Sequence, residues 1–465
     1  MSKAVLIAAP ASGSGKTTVA LGLMAALQRR GLSVQPFKCG PDFIDAGLHA
    51  RVCGRPARNL DLWMLSPETN RALFARHAAC AEVAVVEGVM GLFDGARAAP
   101  HATTASLARL LQIPVLLVVD ASRMAGSVAA LVRGFTGFDS ALNIAGVILN
   151  QVGGEGHYQL LREALAAARC PPALGYLPAD PALRLPERHL GLHTAAEGAV
   201  SDAWLAHLAD AVERGLDLDR ILELSGHVNN NVENFATVKN LKSELRIAIA
   251  RDAAFSFYYE DNLDALRDLG AEIVEFSPCH DSALPANIHA ICIGGGYPEL
   301  HAAALAANVS LRCVLAQWAL QGGPIYAECG GLIYLAQSLT LRDGQSFPMA
   351  GVLPVSVNMT NRLQRFGYCE VQFKEKCLLG SPPLSARGHS FHTSRVESGN
   401  APADFPLQAL SPSGETCGEG YTAGPNVLAS YIHLHFLSQP ELAGNLIHAA
   451  RNFRDALNST SRLEL

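Results

Sequence analysis

Charge is scarce in this chain of 465 residues, and long apolar runs are missing. Only 17% of the residues are charged, against 49% that are hydrophobic. The strongest apolar run, from Ile113 to Val119, is seven residues long and stops at Asp120, whereas a membrane-spanning helix needs about 20. Lys3 and the apolar residues after it superficially resemble a signal peptide. They lead directly into a Gly- and Ser-rich segment that the folded protein would need, so we do not predict a signal peptide. We therefore expect a globular, cytoplasmic protein without a membrane partner.

Metal-binding cysteine pairs and an excess of basic residues are also missing. The 11 cysteines are scattered and never spaced as C-x-x-C, which argues against both a disulfide framework and a zinc site. The chain carries 36 Lys and Arg against 42 Asp and Glu, a formal net charge of -6. Because a nucleic-acid-binding protein usually carries a basic excess, nucleic acid is not an expected partner.

Apolar runs of strand length alternate with helical stretches through the first half, which is typical of a parallel α/β sheet. Between the first two runs, Val19, Leu23 and Leu27 recur every four residues and Gly31 follows as a C-terminal cap. The predicted strands of the first half are Ala4–Ala8, Ser33–Phe37, Val83–Val86, Val115–Val119 and Ala145–Leu149.

The composition turns polar between residues 223 and 244, and the α/β alternation then restarts. We predict a first domain at 1–225, a linker at 226–244 and a second domain at 245–455. The strands predicted for the second half are Leu245–Ile249, Glu272–Phe276, Ala290–Ile293 and Pro324–Tyr326, followed by Leu353–Val357 and Tyr368–Phe373 with a more antiparallel character.

The segment from Ala9 to Thr18, APASGSGKTT, follows a strand and opens a helix, as a phosphate-binding P-loop does. Backbone amides around Gly13 and Gly15 would surround phosphate oxygens, Lys16 would supply positive charge, and the Thr17 hydroxyl would reach Mg²⁺, with Thr18 beside it. Pro10 stands where the pattern has its first glycine. The alternative is a Gly- and Ser-rich turn that only caps a helix.

Acidic side chains follow two other predicted strands, where open α/β sheets bind ligands. Asp42 and Asp45 follow the second strand, and Glu87 and Asp94 follow the third. We predict Asp42 and Glu87 as metal ligands together with the P-loop threonine, and Asp45 and Asp94 as groups that orient substrate or ammonia. Asn150 ends a further strand and is a candidate for nucleotide binding, although an asparagine there is commonly only a turn former.

A short apolar strand in the second half meets Cys329, two glycines and a helix, which is the outline of a nucleophile elbow. The sharp turn would expose the sulfur, and the helix N-terminus would favour its thiolate. His433 lies in an alternating, strand-like segment and is the candidate base. The loop Gly294, Gly295 and Gly296 ends another strand and could supply oxyanion amides. The alternative for the cysteine is a buried structural role.

These motifs, taken in order, resemble the cobyrinic acid a,c-diamide synthase family, including its hydrogenobyrinic acid version. The resemblance covers nearly the whole chain and rests on GPDFID at 40–45, EGVMGLFDG at 87–95, GGGYPEL at 294–300, ECGG at 328–331 and YIHLHF at 431–436. It implies a P-loop domain of the dethiobiotin-synthetase type followed by a class I glutamine amidotransferase domain. The glutamate usual two residues after the catalytic histidine is replaced by His435, so a Cys/His dyad is expected. Ser390 stands where the family has glutamate.

The resemblance implies a ligase that uses Mg²⁺, ATP and glutamine to amidate the a and c acetates of a corrinoid substrate. Because both substrate and protein are acidic, a local basic patch is needed, and Arg51, Arg55 and Arg58 are the candidates. A homodimer is the assembly considered. The alternatives left open are a ligase with an inactive second domain, a P-loop switch ATPase, and an amidotransferase for nickel sirohydrochlorin or a later corrinoid.

Overall fold

The structure is a computed structural model that describes residues 2–95, 102–185, 187–188, 191–192, 200–228, 244–397 and 404–463. The chain divides into two compact units, Met1–Phe235 and Ala236–Leu465. Most of the predicted linker, 226–244, lies outside the described residues. Its first two residues, Gly226 and His227, form a strand on the sheet of the first unit.

A parallel sheet forms the centre of the first unit. Seven of its strands follow the order β3-β2-β4-β1-β5-β6-β7, and β10 pairs antiparallel with β1. The strands are β1 Lys3–Ala8, β2 Val34–Cys39, β3 Arg58–Leu60, β4 Val83–Glu87, β5 Val115–Asp120, β6 Ile144–Val152, β7 Ala173–Pro178, the small hairpin β8 Glu187–Arg188 and β9 Gly191–Leu192, and β10 Gly226–His227.

Helices follow most of these strands, as the parallel connections require. They are α1 Lys16–Arg29, α2 Phe43–Cys53, α3 Pro67–Ala78, α4 Thr104–Leu111, α5 Ser127–Phe138, α6 Glu155–Ala167, α7 Asp202–Gly215 and α8 Leu218–Leu224. The predicted first helix is confirmed: Val19, Leu23 and Leu27 are fully buried on α1, and Gly31 follows its end with a φ of 82°.

The second unit contains a six-stranded sheet with the order β12-β11-β13-β14-β24-β23, parallel except for its last pair. A five-stranded antiparallel sheet, β22-β21-β18-β19-β25, and a four-stranded sheet, β16-β15-β17-β20, complete it. The strands are β11 Leu245–Ala250, β12 Ala271–Phe276, β13 Ala290–Ile293, β14 Ile325–Glu328, β15 Ser338–Thr340, β16 Ser346–Pro348, β17 Ser356–Met359, β18 Arg365–Phe373, β19 Ser385–His392, β20 Ser394–Val396, β21 Leu407–Leu410, β22 Thr416–Glu419, β23 Tyr421–Thr422, β24 Val427–Ser430 and β25 Ile432–Leu434.

Five α-helices are described in this unit, and the longest ends the described chain. They are α9 Glu260–Asp268, α10 Ala302–Ala307, α11 Val309–Leu320, α12 Gly330–Leu335 and α13 Glu441–Leu463. Among the described helices, none combines the length and the apolar character that a membrane crossing demands.

The fold class predicted from the sequence is confirmed in both units, and the predicted strands of the two parallel sheets differ from the observed ones mainly at their ends. The strand predicted at Leu353–Val357 is wrong in position, since β17 begins only at Ser356. Leu353 and Val355 are buried, but they pack into the core from irregular backbone. The apolar character of these residues therefore indicates that they are buried, and it does not indicate a strand.

Candidate functional site

The P-loop connects β1 to α1 and carries its lysine to the carboxyl edge of the first sheet. Gly13 and Gly15 have φ angles of 81° and 87°, which glycine adopts without strain. Lys16 is buried, and its Nζ donates to a carbonyl oxygen within the loop at 3.2 Å. Thr17 and Thr18 follow in the first turn of α1 and are half-buried. Inward amides and a lysine in this arrangement suit phosphate oxygens.

A cluster of charged and polar side chains lies beside the P-loop, and we call it the carboxylate cluster: Thr17, Lys38, Asp45, His49 and Glu87. The Oγ1 of Thr17 donates to Oε1 of Glu87 at 2.7 Å and lies 3.5 Å from Oδ2 of Asp45. The Nζ of Lys38 donates to Asp45 at 2.6 Å and to Glu87 at 3.0 Å. On the far side of Glu87, its Oε2 lies 2.6 Å from Nε2 of His49. The cluster thus links β2, β4, α1 and α2.

The charges of Lys38 and Glu87 support each other at neutral pH, whereas burial raises the pKa of Asp45 well above its ordinary value. Burial acts to lower the pKa of Lys38, but Asp45 and Glu87 outweigh it and raise that pKa. Burial acts to raise the pKa of Glu87, but Lys38 and the hydrogen bond with His49 lower it overall. Lys38 is therefore a cation and Glu87 an anion. The pKa of Lys16 is lowered, first by burial and then by the charge of Lys38.

Asp42 caps the first turn of α2 with one of its carboxylate oxygens. Its Oδ1 accepts from the amides of Ile44 and Asp45 at 2.9 Å, so it is the N-cap of α2. Its Oδ2 lies 4.0 Å from Nζ of Lys38. Asp45, and not Asp42, is therefore the carboxylate that the structure brings beside Thr17.

Asp94 and Asn150 both lie against the P-loop region. The Oδ2 of Asp94 accepts from the amide of Gly91 at 2.8 Å, and its charge acts on Lys16. Asn150 donates from Nδ2 to the carbonyl oxygen of Ser14 at 3.0 Å and is buried. This amide supports the loop backbone directly.

The structure does not bring the predicted arginines to the carboxylate cluster. Arg51 lies in the last turn of α2, whereas Asp45 lies in the first turn of this helix. Its guanidinium pairs with Asp202 at 2.6 Å, and Arg55 donates to the carbonyl oxygen of Cys80 at 3.0 Å. Arg58 begins β3 and is buried. Sequence spacing alone did not show that Asp45 and Arg51 lie at opposite ends of α2.

The donor set of the carboxylate cluster fits Mg²⁺. Thr17, Asp45 and Glu87 offer oxygen atoms only, which this hard cation prefers. Magnesium commonly takes one or two such ligands and completes its shell with phosphate oxygens and water. Thr17 and Glu87 are the predicted ligands that meet this requirement.

In the second unit, Cys329 occupies a sharp turn between β14 and α12. Its φ is 49° and its ψ is -99°, an unusual backbone conformation for a residue with a Cβ. The amide of Cys329 donates to the carbonyl oxygen of Ser430 at 2.7 Å, which fixes the turn against β24. Cys329 is 7% exposed. The predicted nucleophile elbow is the geometry found here.

His433 lies on β25 beside Cys329 and interacts with it. Its Nδ1 lies 3.4 Å from Oε2 of Glu328. Burial acts to lower the pKa of His433, but the neighbouring Cys329 and Glu328 outweigh burial and raise it to about 9. The expected Cys/His dyad is therefore an incomplete description, because a carboxylate stands behind the histidine.

Of the three backbone amides predicted to stabilise the oxyanion, two already donate hydrogen bonds within the protein. The amide of Gly294 donates to Oη of Tyr258 at 2.7 Å, and that of Gly295 donates to the carbonyl oxygen of Phe257 at 3.3 Å. Gly296 is the member of the run that these bonds leave available. A Cβ placed on Gly330 would lie 3.0 Å from the amide nitrogen of Gly296, so the glycine loop and the elbow are in close contact.

The neighbouring histidines form a buried stack rather than a second base. His389 lies over His433 with ring centroids 4.9 Å apart, and its Nδ1 lies 2.7 Å from Oη of Tyr259. His435 packs on Tyr259 at 4.6 Å, and burial lowers the pKa of His435 to about 4. Ser390 is buried on β19 opposite Ile432.

Sequence reasoning assigned no role to Lys38, His49 or Glu328. His49 follows Asp45 by one helical turn, which is a usable signal for a shared face. Lys38 and Glu87 are register partners on β2 and β4, a pairing that a sequence alone does not give. Glu328 directly precedes the cysteine, but only the position of β25 shows that it faces His433.

Comparison with known proteins gives matches along nearly the whole chain. Residues 5–192 match the model of a CobQ/CobB/MinD/ParA nucleotide binding domain, and residues 246–441 match a CobB/CobQ-like glutamine amidotransferase domain. Proteins named cobyrinate a,c-diamide synthase are similar throughout. The one from Syntrophotalea carbinolica is 46% identical over 96% of this chain and 98% of its own length. Those from Salmonella typhimurium and Dehalococcoides mccartyi are 44% and 43% identical, over 96% and 97% of this chain and 98% of each relative.

Proposed function

The chain belongs to the cobyrinate a,c-diamide synthase family, and from this membership we propose that it amidates the a and c acetates of cobyrinate in cobalamin biosynthesis. Glutamine is the nitrogen donor and ATP activates the carboxylate. A carboxylate at neutral pH is a poor electrophile, whereas its acyl phosphate carries a good leaving group. This difference is the chemical reason for coupling an ATP site to an amidotransferase.

The observation that carries the proposal is the placement of Cys329, at its sharp turn, beside the buried His433, with which it interacts. The thiolate attacks the side-chain carbonyl carbon of glutamine, and amides of Gly296 and Gly330 stabilise the oxyanion. His433 gives its proton to the leaving nitrogen as the carbon–nitrogen bond breaks, and ammonia departs. Water then cleaves the glutamyl thioester, which releases glutamate and restores the thiol.

The first unit performs the activation. The P-loop amides and Lys16 hold the phosphates, and an acetate oxygen of the substrate attacks the γ-phosphorus so that ADP leaves. Thr17 and Glu87 would hold Mg²⁺, which neutralises charge on the phosphates when bound. Ammonia attacks the acyl phosphate, the amide forms and phosphate leaves. Asp45 and Asp94, at this edge of the sheet, would orient the acetate and ammonia.

The test is amidation by the full-length protein and its Cys329→Ala variant, followed by mass spectrometry. Cobyrinate and metal-free hydrogenobyrinate are supplied in separate reactions with Mg-ATP and either glutamine or ammonia. The expected result is two amides on cobyrinate, with the glutamine reaction lost and the ammonia reaction kept in Cys329→Ala. Cys313→Ala, at an exposed cysteine of α11, is the matched control. Glutamine-dependent amidation by Cys329→Ala would refute the proposal.

A further inference from the structure

The carboxylate of Glu328 is held by hydrogen bonds to one of its oxygens inside the second unit and faces His433 with the other. Its Oε1 accepts from Oη of Tyr326 at 2.6 Å and from the amide of Leu434 at 3.0 Å. Its Oε2 points to Nδ1 of His433 at 3.4 Å. Glu328 ends β14, and the carboxylate is buried. Its orientation is therefore set by the protein before any substrate binds.

A buried carboxylate at Nδ1 has two consequences for a histidine that acts through Nε2. It selects the tautomer with the proton on Nδ1, and it stabilises the imidazolium that forms during proton transfer. A separation of 3.4 Å is long for a hydrogen bond, but catalytic hydrogen bonds often shorten when substrate binds.

Two further titratable groups act on His433, besides Cys329 and Glu328. They are His389 and His392 of β19. Burial first, and then the charge of His433, lower the pKa of His389, while burial chiefly lowers the pKa of His392 to about 4. Both rings are therefore neutral at physiological pH and cannot balance an imidazolium.

We propose that Glu328 is a positioning residue that completes a Cys329–His433–Glu328 triad for glutamine hydrolysis. The inference rests on the proposed function and assigns the third group of its glutamine site. The carboxylate comes from the residue before the nucleophile, on β14, and reaches the histidine across the neighbouring strands. His435 occupies the position two residues after the base, and its neutral ring packs on Tyr259 instead.

Glu328→Gln tests this inference because the glutamine side chain keeps the shape and can still accept from Tyr326 and Leu434. The side-chain NH2 group of this glutamine would donate a hydrogen bond to Nδ1 of His433. It would therefore favour the tautomer with the proton on Nε2 instead of Nδ1. We expect kcat for glutamine hydrolysis to fall by about 100-fold or more, with KM changed by less than about threefold. We also expect the alkaline limb of the pH profile to move to lower pH, since the imidazolium loses its anionic partner. Ammonia-dependent amidation should not change.

Glu419→Gln is the matched control. Glu419 is also buried, and its Oε1 accepts from the amide of Tyr431 at 3.1 Å and from Ser430 Oγ at 3.3 Å. This substitution removes a buried carboxylate from the same unit, and we expect glutaminase activity within about threefold of wild type.

Three outcomes would overturn the assignment. Glu328→Gln could retain glutaminase activity within threefold of wild type, lose ammonia-dependent amidation in parallel, or lose activity only as far as Glu419→Gln does. The last two would show a structural role. Failure of the proposed function is recognised separately, because Cys329→Ala would then still hydrolyse glutamine, or the wild-type protein would not hydrolyse it with ATP and cobyrinate present.

Discussion

Lys38 and Glu87 form a fully buried ion pair, with 3.0 Å between Nζ and Oε1, across register partners of two parallel strands. Removing the cation takes away the main charge that balances the buried carboxylate of Glu87. We expect Lys38→Met to destabilise the first unit by about 3–5 kcal/mol and to abolish ammonia-dependent amidation. Urea denaturation and the amidation assay measure the two effects. Lys374→Met, at an exposed lysine, should do neither; equal effects of both substitutions would contradict the argument.

Thr17 contributes a hydroxyl that lies 2.7 Å from Glu87. Thr17→Ala removes a proposed magnesium ligand, and we expect ammonia-dependent amidation to fall by about 10- to 100-fold. Thr17→Ser retains the hydroxyl and should remain within about threefold of wild type. The rates are compared at several Mg²⁺ concentrations. A serine variant as impaired as the alanine variant would show that the methyl group, and not the hydroxyl, matters.

Gly295 has no room for a side chain. A Cβ at this position would overlap Cε1 of His433, so Gly295→Ala should displace the imidazole and reduce glutamine hydrolysis by about 100-fold. Ammonia-dependent amidation should be retained. Gly444→Ala is the control, since a Cβ there meets no atom within 4 Å. A fully active glutaminase in Gly295→Ala would show that His433 is not held where the structure has it.

The raised pKa of His433 predicts how its contribution to stability changes with pH. The pKa is about 9 in the folded protein, against an ordinary value of 6.5. A raised pKa means that the folded state binds the proton more tightly, so the stabilisation is complete below pH 6.5 and is lost as pH rises through 9. We expect the difference in melting temperature between wild type and His433→Gln to shrink over this interval. A difference that grows with pH would have the wrong sign.

Local sequence patterns were sufficient to predict the short segments whose geometry is set by neighbouring residues. The P-loop was predictable because a strand, two glycines with positive φ and a helix start follow one another directly. The elbow at Cys329 was predictable for the same reason. The position of Arg51 relative to Asp45 was not, because their separation of six residues runs along the axis of α2 and places the two side chains at opposite ends of this helix.

The sequence by itself determined the two α/β units, the glycine-containing loop before α1 and the sharp turn at Cys329, because each depends on backbone conformations that a few adjacent residues impose. The tertiary structure alone decided which charges meet. Strand order places Lys38 beside Glu87, helix capping binds one oxygen of Asp42 to backbone amides, and the packing of β25 near β14 turns Glu328 toward His433. These contacts join residues from separate strands and helices, and their energies depend on burial that no local pattern specifies.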